Sequence, residues 1–137
     1  MTYVPNKLLS RLVGFRLYSV QFGPDHLQLR FETDHSNHLP FLDCDVMPRV
    51  HHADGALHAS DPGYADLLVS LISTEVVTTA EELGHGITLG FAGVSVVLRP
   101  RAGDLVGPEI ATLGGFDDGA SVVWRPGERS FADLDAE

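Results

Sequence analysis

The chain has 137 residues, enough for one domain that buries roughly two-thirds of the surface its unfolded form exposes, and it carries nine Lys and Arg against nineteen Asp and Glu. The formal charge of −10 is uneven, with residues 1–33 at +2 and residues 34–137 at −12. Nucleic-acid affinity comes largely from Lys and Arg displacing counterions, and a membrane span needs about 20 apolar residues in a row, so neither partner is expected.

The N-terminal run Met1–Lys7 lacks the apolar stretch and small-residue cleavage site of a secretory leader, so a cytoplasmic protein is expected. Pro5 or Asn6 opens a first short helix to Val13, with Leu8, Leu9 and Leu12 on one face and Gly14 at its end. Phe15 to Phe22, rich in aromatic and β-branched residues, reads as a strand; Gly23-Pro24-Asp25 is a turn; His26 to Thr33 alternates, placing Leu27, Leu29 and Phe31 on one face. A third strand is predicted over Leu39 to Val46, at an edge because Pro40 lacks a ladder donor. Within it, Cys44 is the only cysteine, which excludes an intramolecular disulfide; its neighbours Asp43 and Asp45 disfavour the thiolate a nucleophile needs.

Outside that strand, the His-rich stretch between Asp34 and Asp61 reads as a polar connection. Asp61-Pro62, an N-cap followed by proline at the first helical position, opens a second helix to Ile72. Strands are predicted over Glu75–Ala80, Ile87–Phe91 and Val94–Arg99, separated by Gly84-His85-Gly86 and Ala92-Gly93. Glu81-Glu82 then reads as a solvated turn. In the last part, Pro108–Leu113 reads as a short helical turn, Gly114–Gly119 as a loop and Ala120–Arg125 as a strand; Phe131 pins the tail, and 132–137 is polar enough to fray.

The two halves echo each other. Leu8–Val13 matches Leu67–Ile72 at an offset of 59 residues, and Leu27-x-Leu29-x-Phe31 matches Ile87-x-Leu89-x-Phe91 at an offset of 60. The expectation is a single α+β domain with a mainly antiparallel sheet, built from two repeated helix-strand-strand-strand units (about 8–46 and 67–99) with two short helices and a closing segment that has no counterpart. The expected core is Leu12, Leu17, Val20, Leu27, Leu29, Phe31, Leu68, Leu71, Val76, Ile87, Leu89, Phe91, Val96, Leu98 and Val122.

Leu12-Val13-Gly14, the two alternating strands, Gly86–Phe91, Pro108-Glu109 and Trp124-Arg125-Pro126-Gly127-Glu128 together resemble small actinobacterial domains of unknown function that carry an internal repeat. Some of those are similar to immunity proteins of contact-dependent or polymorphic toxin systems. The resemblance spans about Leu8 to Gly127 and implies a non-enzymatic interaction module; it brings no catalytic residue with it.

For such a module the acidic surface favours a basic protein partner through steering. Trp124 and Arg125 have the composition of an interface hot spot, and Asp117 and Asp118, with Asp133, Asp135 and Glu137, offer negative charge. A homodimer through exposed sheet edges is compatible with this reading. No cofactor is required by any motif: Walker, G-x-G-x-x-G and G-x-S-x-G patterns are all missing. The alternative is a metal-binding protein or metal-dependent hydrolase centred on the His-rich segment, with His51, His52, His58 and Asp54 as ligands, alongside His35 and His38. Adjacent His51 and His52 would point opposite ways on a strand, which weakens that set.

Overall fold

The computed structural model describes residues 3–132 and Leu134. Ten short strands form two antiparallel sheets of five. The strands are β1 (Arg16–Gly23), β2 (His26–Glu32), β3 (Phe41–Cys44), β4 (Arg49–His52), β5 (Gly55–Leu57), β6 (Thr78–Glu82), β7 (Gly86–Phe91), β8 (Val94–Leu98), β9 (Ala111–Gly114) and β10 (Val122–Trp124). One α-helix, α1 (Tyr64–Ser70), lies between β5 and β6. No helix among the described residues is long and apolar enough to cross a membrane.

The first sheet runs β1-β2-β3-β9-β10 and the second β5-β4-β8-β7-β6. Each half of the chain therefore lends a hairpin to the other half's sheet: β4-β5 joins β8, and β9-β10 joins β3. Reading the second sheet from its other edge, β6-β7-β8-β4-β5, the two orders correspond strand for strand after a shift of five.

Alternation decides which face is buried. In β2, Leu27, Leu29 and Phe31 are fully buried while Gln28, Arg30 and Glu32 are half-buried on the outer face. Each large apolar side chain so buried contributes roughly 1.5–3 kcal/mol. Ile87, Leu89 and Phe91 do the same in β7, and the inward residues of both sheets merge with Leu9, Leu12, Leu68, Trp124 and Phe131 into one core. Of the core expected from the sequence, only Val20 is less than fully enclosed.

Several elements differ from the sequence expectation. The first helix is a single 3-10 turn, Leu9–Leu12, because Asn6 sits at φ 68° and starts the chain as a turn. The second helix begins at Tyr64, capped by Gly63 at φ 87°; the Asp61 carboxylate instead accepts the His58 N–H at 2.8 Å. β3 is central rather than an edge. Pro40 lies just ahead of it and offers only its carbonyl, to the Phe31 N–H at 2.9 Å, so every strand residue keeps its donor. The strand expected at Glu75–Ala80 starts at Thr78, because Val76 exchanges backbone hydrogen bonds with Gly14 and Phe15 at the foot of β1. Residues 49–57, expected as polar connection, form the hairpin β4-β5, and 108–113, expected as a helical turn, holds the first three residues of β9. β9 takes extended form because β3 and β10 flank it on both sides. Of the tail, Phe131 is buried, whereas residues 133 and 135–137 lie outside the described residues.

Candidate functional site

The sequence-predicted residues do not assemble into one site. Trp124 is 1 % exposed, with its indole turned into the core. Arg125 reaches the Glu109 carboxylate at 3.3 Å. Asp118 accepts from Arg11 through both oxygens at 3.0 Å and from the Ala120 N–H at 3.0 Å, and these bonds hold its carboxyl below the ordinary range. Asp117 accepts from the Ser36 hydroxyl at 2.7 Å and lies 3.6 Å from His38. Asp117 and Asp118 are thus engaged within the chain, and Asp133, Asp135 and Glu137 lie outside the described residues.

The histidines of the metal alternative are also separated. Fully buried Val50 fixes the orientation of β4: Arg49 and His51 flank it on the outer face, and His52 points the other way, 4.0 Å from Asp54. His58, one residue past Leu57, returns to the outer face and lies 3.5 Å from Asp61. Among the described residues no three His, Cys, Asp or Glu side chains are arranged to hold a metal ion. Cys44 is wholly enclosed in β3; burial first, then Asp43 and Asp45, push its thiol far up, so it is not a nucleophile.

Glu81 is the one buried carboxylate among the described residues, at 6 % exposure, where the sequence suggested a solvated turn. Register with Ile87 puts it on the inward face of β6. It accepts from four donors: the Tyr3 hydroxyl, the Asn6 N–H at 2.7 Å, the Trp124 indole N–H at 2.8 Å and the Ser130 hydroxyl at 2.6 Å. Burial and the adjacent carboxylate push the Tyr3 phenol up, keeping it a donor at ordinary pH. The Arg129 guanidinium lies 4.3 Å from the centre of the Tyr3 ring. This cluster ties the segments around Tyr3 and Ser130 to the second sheet, with four donors of the chain itself on one carboxylate.

Chemistry open to a ligand lies elsewhere, on the outer side of the second sheet. A cleft of about 550 Å³ is lined by Arg49 from β4, Val97 from β8, Arg99, Pro100 and Arg101 just beyond β8, the link Val46–Pro48, the segment His58–Ser60, Asp25, Asp104 and Val106. Its volume falls within the roughly 300–1,000 Å³ of small-molecule sites. Three of the nine Lys and Arg of an otherwise acidic chain converge there. Register explains how: Arg49 pairs with Val97, and Arg99 follows two residues later on the same face. Of the two carboxylates, Asp104 is held by Arg101 at 3.6 Å and by the Arg101 N–H at 2.9 Å. Beside the cleft, burial first and then Arg49 and His58 lower the pKa of His51.

Sequence reading missed the cleft because its arginines come from strands 50 residues apart, and β4 was not recognised. The only available sign was the Arg99-Pro100-Arg101 triplet in an acidic half. No protein-family model matches the chain, and neither a curated protein nor a solved structure matches it.

Proposed function

We propose that this protein is a non-enzymatic binding module and that the arginine-lined cleft is its ligand site, taking an anionic group. The observation that carries this reading is the convergence of Arg49, Arg99 and Arg101 on one concave surface of a chain whose formal charge is −10. Guanidinium groups are the side chains best matched to oxyanions, because their planar fork donates two parallel hydrogen bonds.

We also propose that the chain is an internal duplication whose halves exchange a hairpin. The matched order of strands supports this, as does the register: Leu29 faces Leu42 in the first sheet as Leu89 faces Val96 in the second. Carrying that equivalence along β3 and β8, and across to β9 and β4, sets Thr112 in the place of Arg49 and Asp45 in the place of Arg99. The same backbone is therefore built in the other half without the arginines. The absence of an arginine at the position matching Arg49 supports a use for Arg49 beyond the fold.

The test is a thermal-unfolding series with pyrophosphate and with citrate as probes. The wild-type midpoint should rise by several degrees at millimolar anion, and Arg49→Gln should remove most of that rise while unfolding stays cooperative. No response of the wild type to either anion overturns the reading.

A second reading, in line with the resemblance to immunity-type domains, seats a basic protein on the first sheet. Asp43, Asp45 and Glu109 crowd there; burial and then these two neighbours, opposed by His26, raise the pKa of Asp45. Co-expression with the neighbouring gene product should yield a complex that Asp45→Lys with Glu109→Lys abolishes; a complex that survives those changes excludes this face.

A further inference from the structure

Independently of the cleft, we infer that the free edge of β1 is a self-association surface. A second copy of this chain adds its own β1 there, antiparallel, across a two-fold axis centred on Gln21, and the two first sheets become one.

The direction of the backbone opens this edge. The Phe31 N–H donates to the Pro40 carbonyl at 2.9 Å, so Phe31 turns its main-chain groups towards β3. Direction alternates along a strand, so Leu29 and Leu27 do the same, and they stand opposite Val20 and Phe22 of β1. In an antiparallel ladder, opposed residues either bond each other or both bond away, so Val20 and Phe22 turn their N–H and C=O groups to the open side. Leu17, opposite Phe31, obeys the same rule at the foot of the strand, where Ser73 and Thr74 take its outward groups at 2.8 and 2.9 Å. Past the register shift at Tyr18 the pairing runs unbroken from Ser19 to Gly23. Among the described residues, no main-chain group outside β1 and β2 bonds to residues 18–23.

The other sheet edges are guarded. β10 and β5 have three residues each, and Pro126 follows β10 closely. β6 is covered by the N-terminal segment: the Asn6 side-chain amide donates to the Thr79 carbonyl at 3.4 Å, and the turn Leu9–Leu12 packs against the strand. β1 is longer than any of these, and its stretch Ser19–Gly23 holds neither charge nor proline, the residues that protect an exposed edge. Phe22 is 43 % exposed on the core-side face, beside half-buried Val20.

Register and charge name the occupant. Centred on Gln21, the pairing sets Val20 of each copy against Phe22 of the other, so all the open groups are bonded and each Phe22 ring covers a Val20. Centring on Val20 would set Phe22 against Tyr18 at the register shift, and centring on Phe22 would set Val20 against Pro24, which has no donor. Residues 16–32 carry two arginines and two carboxylates, whereas the whole chain is −10, so two copies meet at this hairpin with little repulsion. A basic partner is drawn instead to the acidic remainder. So short a strand pair buries less than the roughly 1,600 Å² of a standard interface, and the dimer is weak and concentration-dependent.

The experiment is sedimentation velocity of the full chain from micromolar to millimolar concentration, with Gln21→Glu, Gln21→Lys and their equimolar mixture. Gln21 is exposed, and both variants should keep the wild-type circular dichroism. The wild type should pass from monomer to dimer. Each variant places like charges opposite one another at the axis and should weaken the dimer several-fold, and mixing the two should restore it. Amide exchange of the wild type supplies a second readout, with Val20 and Phe22 becoming protected as concentration rises. A wild type that stays monomeric overturns the proposal. A dimer indifferent to both substitutions, or one that leaves the Val20 and Phe22 amides unprotected, overturns the β1 edge, and a dimer weakened by both but not restored by mixing overturns the register.

Discussion

Replacing Glu81 by Ala leaves the Trp124 indole N–H and the Ser130 hydroxyl without their acceptor in the interior. Each buried donor so stranded costs about 1–3 kcal/mol, so Glu81→Ala should lower unfolding free energy by roughly 3 kcal/mol. Urea denaturation followed by the single tryptophan measures this, and Glu81→Gln, which keeps one acceptor oxygen, should lose less. At His51 the expected sign is set by its lowered pKa, caused by burial and then by Arg49 and His58, with Ala56 and Ser95 as its uncharged cross-strand neighbours. Above the ordinary histidine value, near 6.5, folded and unfolded chains are both neutral there and the contribution is complete. As pH falls below that value the unfolded chain takes the proton first, and stability declines towards the folded pKa. A proton NMR titration of the imidazole should show the depressed value, and pyrophosphate in the cleft should raise it; an unmoved pKa with bound pyrophosphate would contradict the placement. The role of Glu81 was not legible in the sequence: it stood in a run of two acids before a glycine turn, and only its pairing with Ile87 turns it inward.

At the scale of elements, legibility follows length and alternation. β2, β7 and β8 run five to seven residues with clean periodicity, and their positions were readable to within a residue or two. β4, β5 and β9 were not, because three or four residues carry too little pattern and two of the four β4 residues are histidine. Their extended form comes from neighbours distant in sequence: β4 is held by β8, and β9 by β3. Backbone demands are also local. Gly86 opens β7 at φ 90°, and a Cβ there would fall against the Leu98 carbonyl oxygen, which is backbone and cannot rotate away. Gly86→Ala should therefore destabilise by about 2 kcal/mol or more, combining left-handed strain with a displaced strand pair. Thermal unfolding checks this against Gly93→Ala, where φ is 79° but nothing lies within 4 Å of the added methyl, and the loss should be smaller.

For the molecule as a whole, exchange of hairpins means that neither half contains a complete five-stranded sheet. The half ending near Ser60 lacks β9 and β10, and the other lacks β4 and β5. Cutting the chain between residues 59 and 62 should give fragments that are unfolded separately by circular dichroism and reassemble when mixed; a fragment that folds alone would contradict the shared core. The echo expected between the halves reached only to residue 99 and did not anticipate the exchange, since the hairpins β4-β5 and β9-β10 share no apolar pattern at the level of single residues. The cleft belongs to the same scale, formed only when β4 docks on β8. Its occupancy is most directly read from the arginine side-chain Nε–H resonances during titration with pyrophosphate. The resonance of Arg49 should move, with those of Arg99 and Arg101 beside it, while those of Arg16 and Arg125, which lie outside the cleft, stay in place. Uniform movement of all arginines, or none at the three, would contradict the assignment of this cleft as the ligand site.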